Sequence, residues 1–131
     1  MIAFDDSTFD KIQREIKLME KLNHPNIINL IDSKEENNVI SLLLEYAEGN
    51  LFDMISKKFN KKEYFEEKDI LKIFYGIVKA VYYLHSQNPP IIHRDIKIEN
   101  ILVKNNQYVL CDFGSKYDNL INKVVQQEYI I

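Results

Sequence analysis

The scarce residues narrow this chain first. One cysteine, Cys111, among 131 residues excludes an internal disulfide and any zinc site built from several thiolates. Three glycines and three prolines exclude collagen-like, linker-like and low-complexity chains. No apolar run approaches the roughly 20 residues that span a bilayer, so no membrane span is expected. Met1 to Asp6 has no basic stretch leading into an apolar one, so no signal peptide is expected and the expected location is cytoplasmic. An excess of positive charge is missing too. There are 17 Lys and Arg against 20 Asp and Glu, net −3, which speaks against a nucleic-acid-coating role because phosphate binding needs a basic field. What is present is the composition of an ordinary folded domain, 46% hydrophobic and 28% charged.

The apolar spacing predicts mixed helix and strand. Ser7-Thr8-Phe9-Asp10 offers a helix start, and Phe9, Ile12, Ile16, Met19 and Leu22 continue at helical spacing until Asn23-His24-Pro25. Ile27 to Ile31 reads as a strand, Ser33 to Asn38 as a polar turn, and Val39 to Tyr46 as a second strand. Gly49-Asn50 breaks the chain before a short helix over Leu51 to Phe59. The longest helical pattern runs from Glu66 to Asn88, with Ile70, Ile73, Phe74, Ile77, Val81 and Leu84 as its apolar set and Gly76 as a point of close packing. Pro89-Pro90 ends it. Ile101 to Lys104 and Tyr108 to Cys111 form a hairpin around Asn105-Asn106-Gln107.

Chemistry concentrates between His93 and Gly114. Asn100 precedes the first strand of the hairpin and Asp112 follows the second, so the hairpin returns both to one end. An amide oxygen beside a carboxylate is a hard-oxygen pair suited to Mg²⁺ carrying phosphates. Asp95 and Lys97 lie just upstream. A carboxylate there can take a proton from an attacking hydroxyl, and an ammonium can neutralise a transferred phosphoryl group.

His93-Arg94-Asp95-Ile96-Lys97-Ile98-Glu99-Asn100 followed by Asp112-Phe113-Gly114 resembles the paired signature of eukaryotic protein kinases. The resemblance implies Asp95, Lys97 and Asn100 as catalytic residues, and Asn100 and Asp112 as Mg²⁺ ligands. Glu15, in Arg14-Glu15-Ile16, stands where kinases place the helix glutamate that pairs with a phosphate-binding lysine, at the right distance from His24-Pro25-Asn26-Ile27-Ile28. Leu44-Glu45-Tyr46-Ala47 resembles the hinge, with Leu44 as gatekeeper and backbone groups of Glu45 and Ala47 at adenine. Leu102 would lie under the adenine ring, and Met19, Leu30, His93 and Phe113 resemble the stacked apolar spine. ATP and Mg²⁺ are the implied cofactors, and a protein substrate the implied partner. Lys97 is typical of serine/threonine kinases. Arg94 would normally pair with a phosphorylated residue of the activation segment. Pro89 to Asn100, and Cys111-Asp112-Phe113-Gly114-Ser115, are similar to the Numb-associated kinases, the group of the adaptor-associated and cyclin G-associated kinases, which implies endocytic adaptor proteins as partners.

The implied fold is α+β, a two-lobed kinase fold in incomplete form. Residues 1–48 would be a partial N-lobe with the hinge, and residues 49–131 a partial C-lobe with the catalytic loop. The glycines are Gly49, Gly76 and Gly114, so these residues contain no Gly-rich phosphate loop, and they contain neither a Val-Ala-Ile-Lys strand nor an Ala-Pro-Glu motif. Two functions follow: a fragment of a serine/threonine protein kinase, or a catalytically inactive kinase-like binding or regulatory module. Small-molecule phosphotransferases share the Asp-Asn-Asp logic but usually lack His-Arg-Asp with its following Lys.

Overall fold

A computed structural model describes residues 6–36 and 39–111. The order is helix α1 (Asp6–Lys21), strands β1 (Leu30–Glu36), β2 (Val39–Leu44) and β3 (Gly49–Asn50), helices α2 (Leu51–Asn60) and α3 (Glu67–His85), then β4 (Ile101–Lys104) and β5 (Gln107–Leu110). β1 and β2 form one antiparallel sheet, and β3, β4 and β5 another in that order.

Helical spacing in α1 puts Ile12 and Ile16 on one buried face against Ile40 of β2, with Phe9, Leu30 and Leu42 packed around them. The strand expected over Ile27 to Ile31 is split. Ile27 bridges Leu110 in parallel, and the Ile28 N–H donates to the Leu110 carbonyl at 3.0 Å. Strand β1 begins only at Leu30 and runs through Glu36, so Ser33 to Glu36, expected as a turn, pair with Val39 to Leu42. Polar residues suffice here because β1 is mostly exposed and its backbone is satisfied by β2.

Gly49-Asn50 does more than interrupt the chain. The two residues pair with Val103 and Leu102 of β4. Asn50 then caps α2, its Oδ1 accepting the Asp53 N–H at 2.8 Å. Between β4 and β5, Asn105 (φ 48°) and Asn106 (φ 58°) make the left-handed two-residue turn that suits a twisted hairpin. Gln107, expected in the turn, pairs with Lys104.

The main core joins Leu22, Ile27, Leu51, Ala80, Leu84, Ile101, Tyr108 and Leu110. Helix α3 enters it through Gly76, Ala80 and Leu84, with Ile73, Ile77 and Val81 alongside. Gly76 allows the approach: a Cβ there would sit 3.1 Å from both Asn26 Nδ2 and the Tyr108 carbonyl. Ile70 and Phe74, expected on the buried face, are instead exposed at 54% and 67%. They join Leu71, Tyr75, Val78 and Tyr82 on an apolar outer side of α3. The small residues Gly76 and Ala80 set the inward direction, which a count of large apolar residues misses.

Candidate active site

The segment 93–100 is pinned at both ends to the hairpin core. His93, 2% exposed, accepts the Asp95 N–H on Nδ1 at 3.1 Å. That acceptance puts the ring proton on Nε2, which donates to the Cys111 carbonyl at 2.6 Å. Arg94 between them adopts φ 71°, a left-handed conformation that costs a non-glycine residue about 1–3 kcal/mol and that the flanking bonds hold in place.

Asn100 is buried, with its N–H turned back to the Lys97 carbonyl at 3.0 Å. Its Nδ2 donates to both the carbonyl and the Oδ2 of Asp95, each at 2.9 Å. Lys97 Nζ lies 3.0 Å from the same Oδ2. The Asp95 carboxylate is thus held by an ammonium and an amide while staying accessible at the surface. Lys97 is about half exposed and Asp95 less so. At the far end of the hairpin the Cys111 N–H donates to the Asn100 carbonyl at 3.0 Å, and Cys111 Sγ lies 3.3 Å from that oxygen. The expected return of the hairpin to Asn100 is therefore present at Cys111, while Asp112 and Phe113 lie outside the described residues.

A second group surrounds the segment 44–48. Leu44 and Leu102 each pack against the cluster of buried Ile28, Val109 and Cys111. The Glu45 N–H donates to the Asn29 carbonyl at 3.0 Å. Glu45 Oε2 meets Lys104 Nζ at 2.8 Å and accepts the Asn29 N–H at 3.3 Å. Partial burial pushes the Glu45 carboxyl upward, but the bonds from Lys104 and Asn29 outweigh it and leave it below the ordinary carboxylate range. Ala47 is half-buried beside them.

The residues singled out from sequence thus fall into two described groups, Asp95, Lys97 and Asn100 in one and Leu44, Glu45, Ala47 and Leu102 in the other. Glu15 lies half-buried on α1, in the layer α1 makes with β1 and β2. Met19 packs on the main core and Leu30 on the α1 cluster. Among the described residues no group of three or more His, Cys, Asp and Glu gathers to hold a metal. The bonds joining Asn29 and Lys104 to Glu45, and Asn105 to Glu48, were not signalled by the sequence, since they cross between distant segments. Asn26 was visible only as part of a motif. Its Nδ2 donates to the Tyr108 carbonyl at 2.9 Å, joining the turn after α1 to β5.

The protein kinase domain family matches residues 3–127. A probable serine/threonine-protein kinase of Dictyostelium discoideum is 37% identical over 124 residues, covering 88% of this chain and 11% of that protein. Serine/threonine-protein kinase sel-5 of Caenorhabditis elegans is 34% identical over 113 residues, covering 80% and 10%. Serine/threonine-protein kinase SIK1 of Rattus norvegicus is 38% identical over 112 residues, covering 84% and 14%. The chain spans only about a tenth of the length of these relatives. No helix among the described residues is long and apolar enough to cross a membrane. With the family matched across nearly all of its length, the chain belongs to the protein kinase domain family.

Proposed function

We propose that this chain is the catalytic middle of a serine/threonine protein kinase, which moves the γ-phosphoryl group of ATP to a Ser or Thr hydroxyl of a protein. The observation that carries this reading is the Asp95 carboxylate, oriented by Asn100 Nδ2 at 2.9 Å and Lys97 Nζ at 3.0 Å on one oxygen. Asp95 accepts the proton of the attacking hydroxyl. Lys97 neutralises charge developing on the transferred group. Asn100 and Asp112 would hold Mg²⁺, and the donor chemistry fits, since both offer hard oxygens. Spending Nδ2 on Asp95 leaves Oδ1 as the atom of the Asn100 amide able to ligate a cation. When bound, Mg²⁺ supplies neutralisation of the phosphate charge.

Adenine would lie between Leu44 and Leu102 against the 45–47 backbone. Since the Glu45 N–H is spent on Asn29, its carbonyl and the Ala47 backbone are the groups offered to the base. Glu15 would steady a phosphate-binding lysine. On this reading residues 1–48 belong to an N-lobe with the hinge and residues 49–131 to a C-lobe. The stretches Pro89 to Asn100 and Cys111 to Ser115 support the Numb-associated branch, and that branch would imply endocytic adaptor partners in a cytoplasmic setting.

The test is transfer of label from γ-labelled ATP to an acceptor protein by this chain and by Asp95→Ala. A loss of about 10²–10⁴-fold in the variant is expected, the usual worth of a positioned general base. Equal background signal in both overturns catalysis by this chain. The second reading, an inactive kinase-like binding module, is favoured by the exposed row Leu71, Phe74, Tyr75, Val78 and Tyr82 on α3. A folded chain whose melting temperature does not move with Mg²⁺ and ATP would support it.

A further inference from the structure

The hairpin β4–β5 touches the segment 45–48 at both of its ends. At the first end, Lys104 Nζ meets Glu45 Oε2 at 2.8 Å, and the same oxygen accepts the Asn29 N–H at 3.3 Å. The Glu45 N–H returns to the Asn29 carbonyl at 3.0 Å. At the second end, the Glu48 N–H donates to the Val103 carbonyl at 2.8 Å. The Glu48 carboxylate accepts the Asn105 N–H on both oxygens, at 3.0 and 3.2 Å. Asn105 can present that N–H because it stands in the left-handed turn.

Lys104 is two residues from Leu102 on one strand, so both side chains leave the same face of β4. Leu102 packs on the same buried cluster as Leu44, and Lys104 reaches Glu45. One strand therefore carries both Leu102, on which the proposed adenine site rests, and the lysine that holds Glu45. The Lys104–Glu45 pair is about three-quarters covered on both sides, so solvent screens it less than an exposed pair.

We propose that Lys104 is a positioning residue for adenine binding, fixing the distance between the 45–47 backbone and Leu102 through Glu45. This rests on the reading of 44–47 as an adenine hinge. A segment held at both ends has little conformational freedom left to lose on binding, which raises affinity without adding a contact to the ligand.

The test compares the full chain with Lys104→Met and Lys104→Arg. Amide hydrogen exchange is followed at Glu45 and Glu48, and the affinities for adenosine and for ADP are titrated. In Lys104→Met, exchange at Glu45 should quicken about tenfold, with little change at Glu48, where the second clamp remains. Adenosine and ADP should weaken by the same factor, about five- to tenfold, because the loss lies at the base and not at the phosphates. Lys104→Arg should restore both, which a merely structural lysine would not require. Unchanged exchange at Glu45 in Lys104→Met overturns the clamp. Quickened exchange with unchanged adenosine affinity overturns the positioning role. A parent chain that takes up neither ligand overturns the adenine reading and the positioning role with it, while the exchange result still decides the clamp.

Discussion

Two regions of the molecule are built from similar elements and hold them very differently. Around α3 and the hairpin β4–β5, eight buried residues from six segments meet in one core, and α3 comes so close to β5 at Gly76 that an added Cβ would lie 3.1 Å from the Tyr108 carbonyl. In the α1 layer, three buried isoleucine side chains join one helix to a two-stranded sheet. A two-stranded sheet is marginal by itself. This one leans on the rest through the 26–28 segment beside Leu110 and through the Asn29–Glu45 bonds. The residues proposed as catalytic sit on the first region. Asp95 and Asn100 are tied to His93 and Cys111, and Cys111 extends β5. The proposed role of Asp95 as a base needs a rigid support, and the fold ties it to the region with the larger buried core.

That contrast should show first in the cost of shaving each core. Leu84→Ala, at a site 1% exposed in the main core, should cost about 4 kcal/mol and shift the whole urea transition. Ile16→Ala should cost about 2 kcal/mol, the low end for such a truncation, since its cluster is small and near the surface. Amide exchange should then show α1, β1 and β2 opening while β5 stays protected. If both variants lose the same protection everywhere, the two regions are one cooperative unit and the contrast fails.

Between these two in size comes Gly76→Val. The new Cβ would meet Asn26 Nδ2 and the Tyr108 carbonyl at 3.1 Å, and branching adds atoms where backbone cannot yield. A loss of about 3 kcal/mol is expected from overpacking, despite the better helix propensity. A melting temperature at or above that of the parent chain would show that α3 does not press on β5 as described.

The smallest expected effect is a dependence on pH at the join between the regions. His24 Nδ1 accepts the Asn26 N–H at 3.0 Å, and its ring lies 4.8 Å from that of Tyr83. Burial, and then the positive charge of Lys79, hold its pKa below the ordinary 6.5. The folded chain therefore binds this proton less readily than the unfolded chain. The contribution of neutral His24 is complete above about pH 6.5 and is lost as pH falls through that value toward the lowered folded one. Urea titrations of the parent and His24→Gln should diverge in slope below pH 6.5 and run parallel above it. Parallel curves throughout would remove His24 from the join.

Much of this was legible in the sequence. The turn at Asn105-Asn106, the interruption before Pro25 and the helical spacing of Ile12 and Ile16 each carry their own local cause, and the structure places all three where expected, with the turn one residue shorter because Gln107 joins the strand. The cluster of Asp95, Lys97 and Asn100 was legible because all three fall within six consecutive residues. Polar β1 was not, since Ser33 to Glu36 become strand only because β2 lies beside them. The inward face of α3 was misread at Ile70 and Phe74 because its direction is set by Gly76 against Tyr108, a contact between distant residues. The bonds of Lys104 to Glu45 and of Asn105 to Glu48 join segments nearly sixty residues apart and leave no local trace.

The central claim is that the segment 93–100, the proposed catalytic loop, is pre-set by its bonds to the hairpin core. Amide exchange of the free chain tests it most directly, read at Asp95, whose N–H donates to His93, and at Cys111, whose N–H donates to Asn100. Protection at both within about tenfold of Leu110, and well above that of β1, is the predicted result. Exchange at Asp95 and Cys111 as fast as in β1, with Leu110 still protected, would show a loop detached from its core and contradict the account.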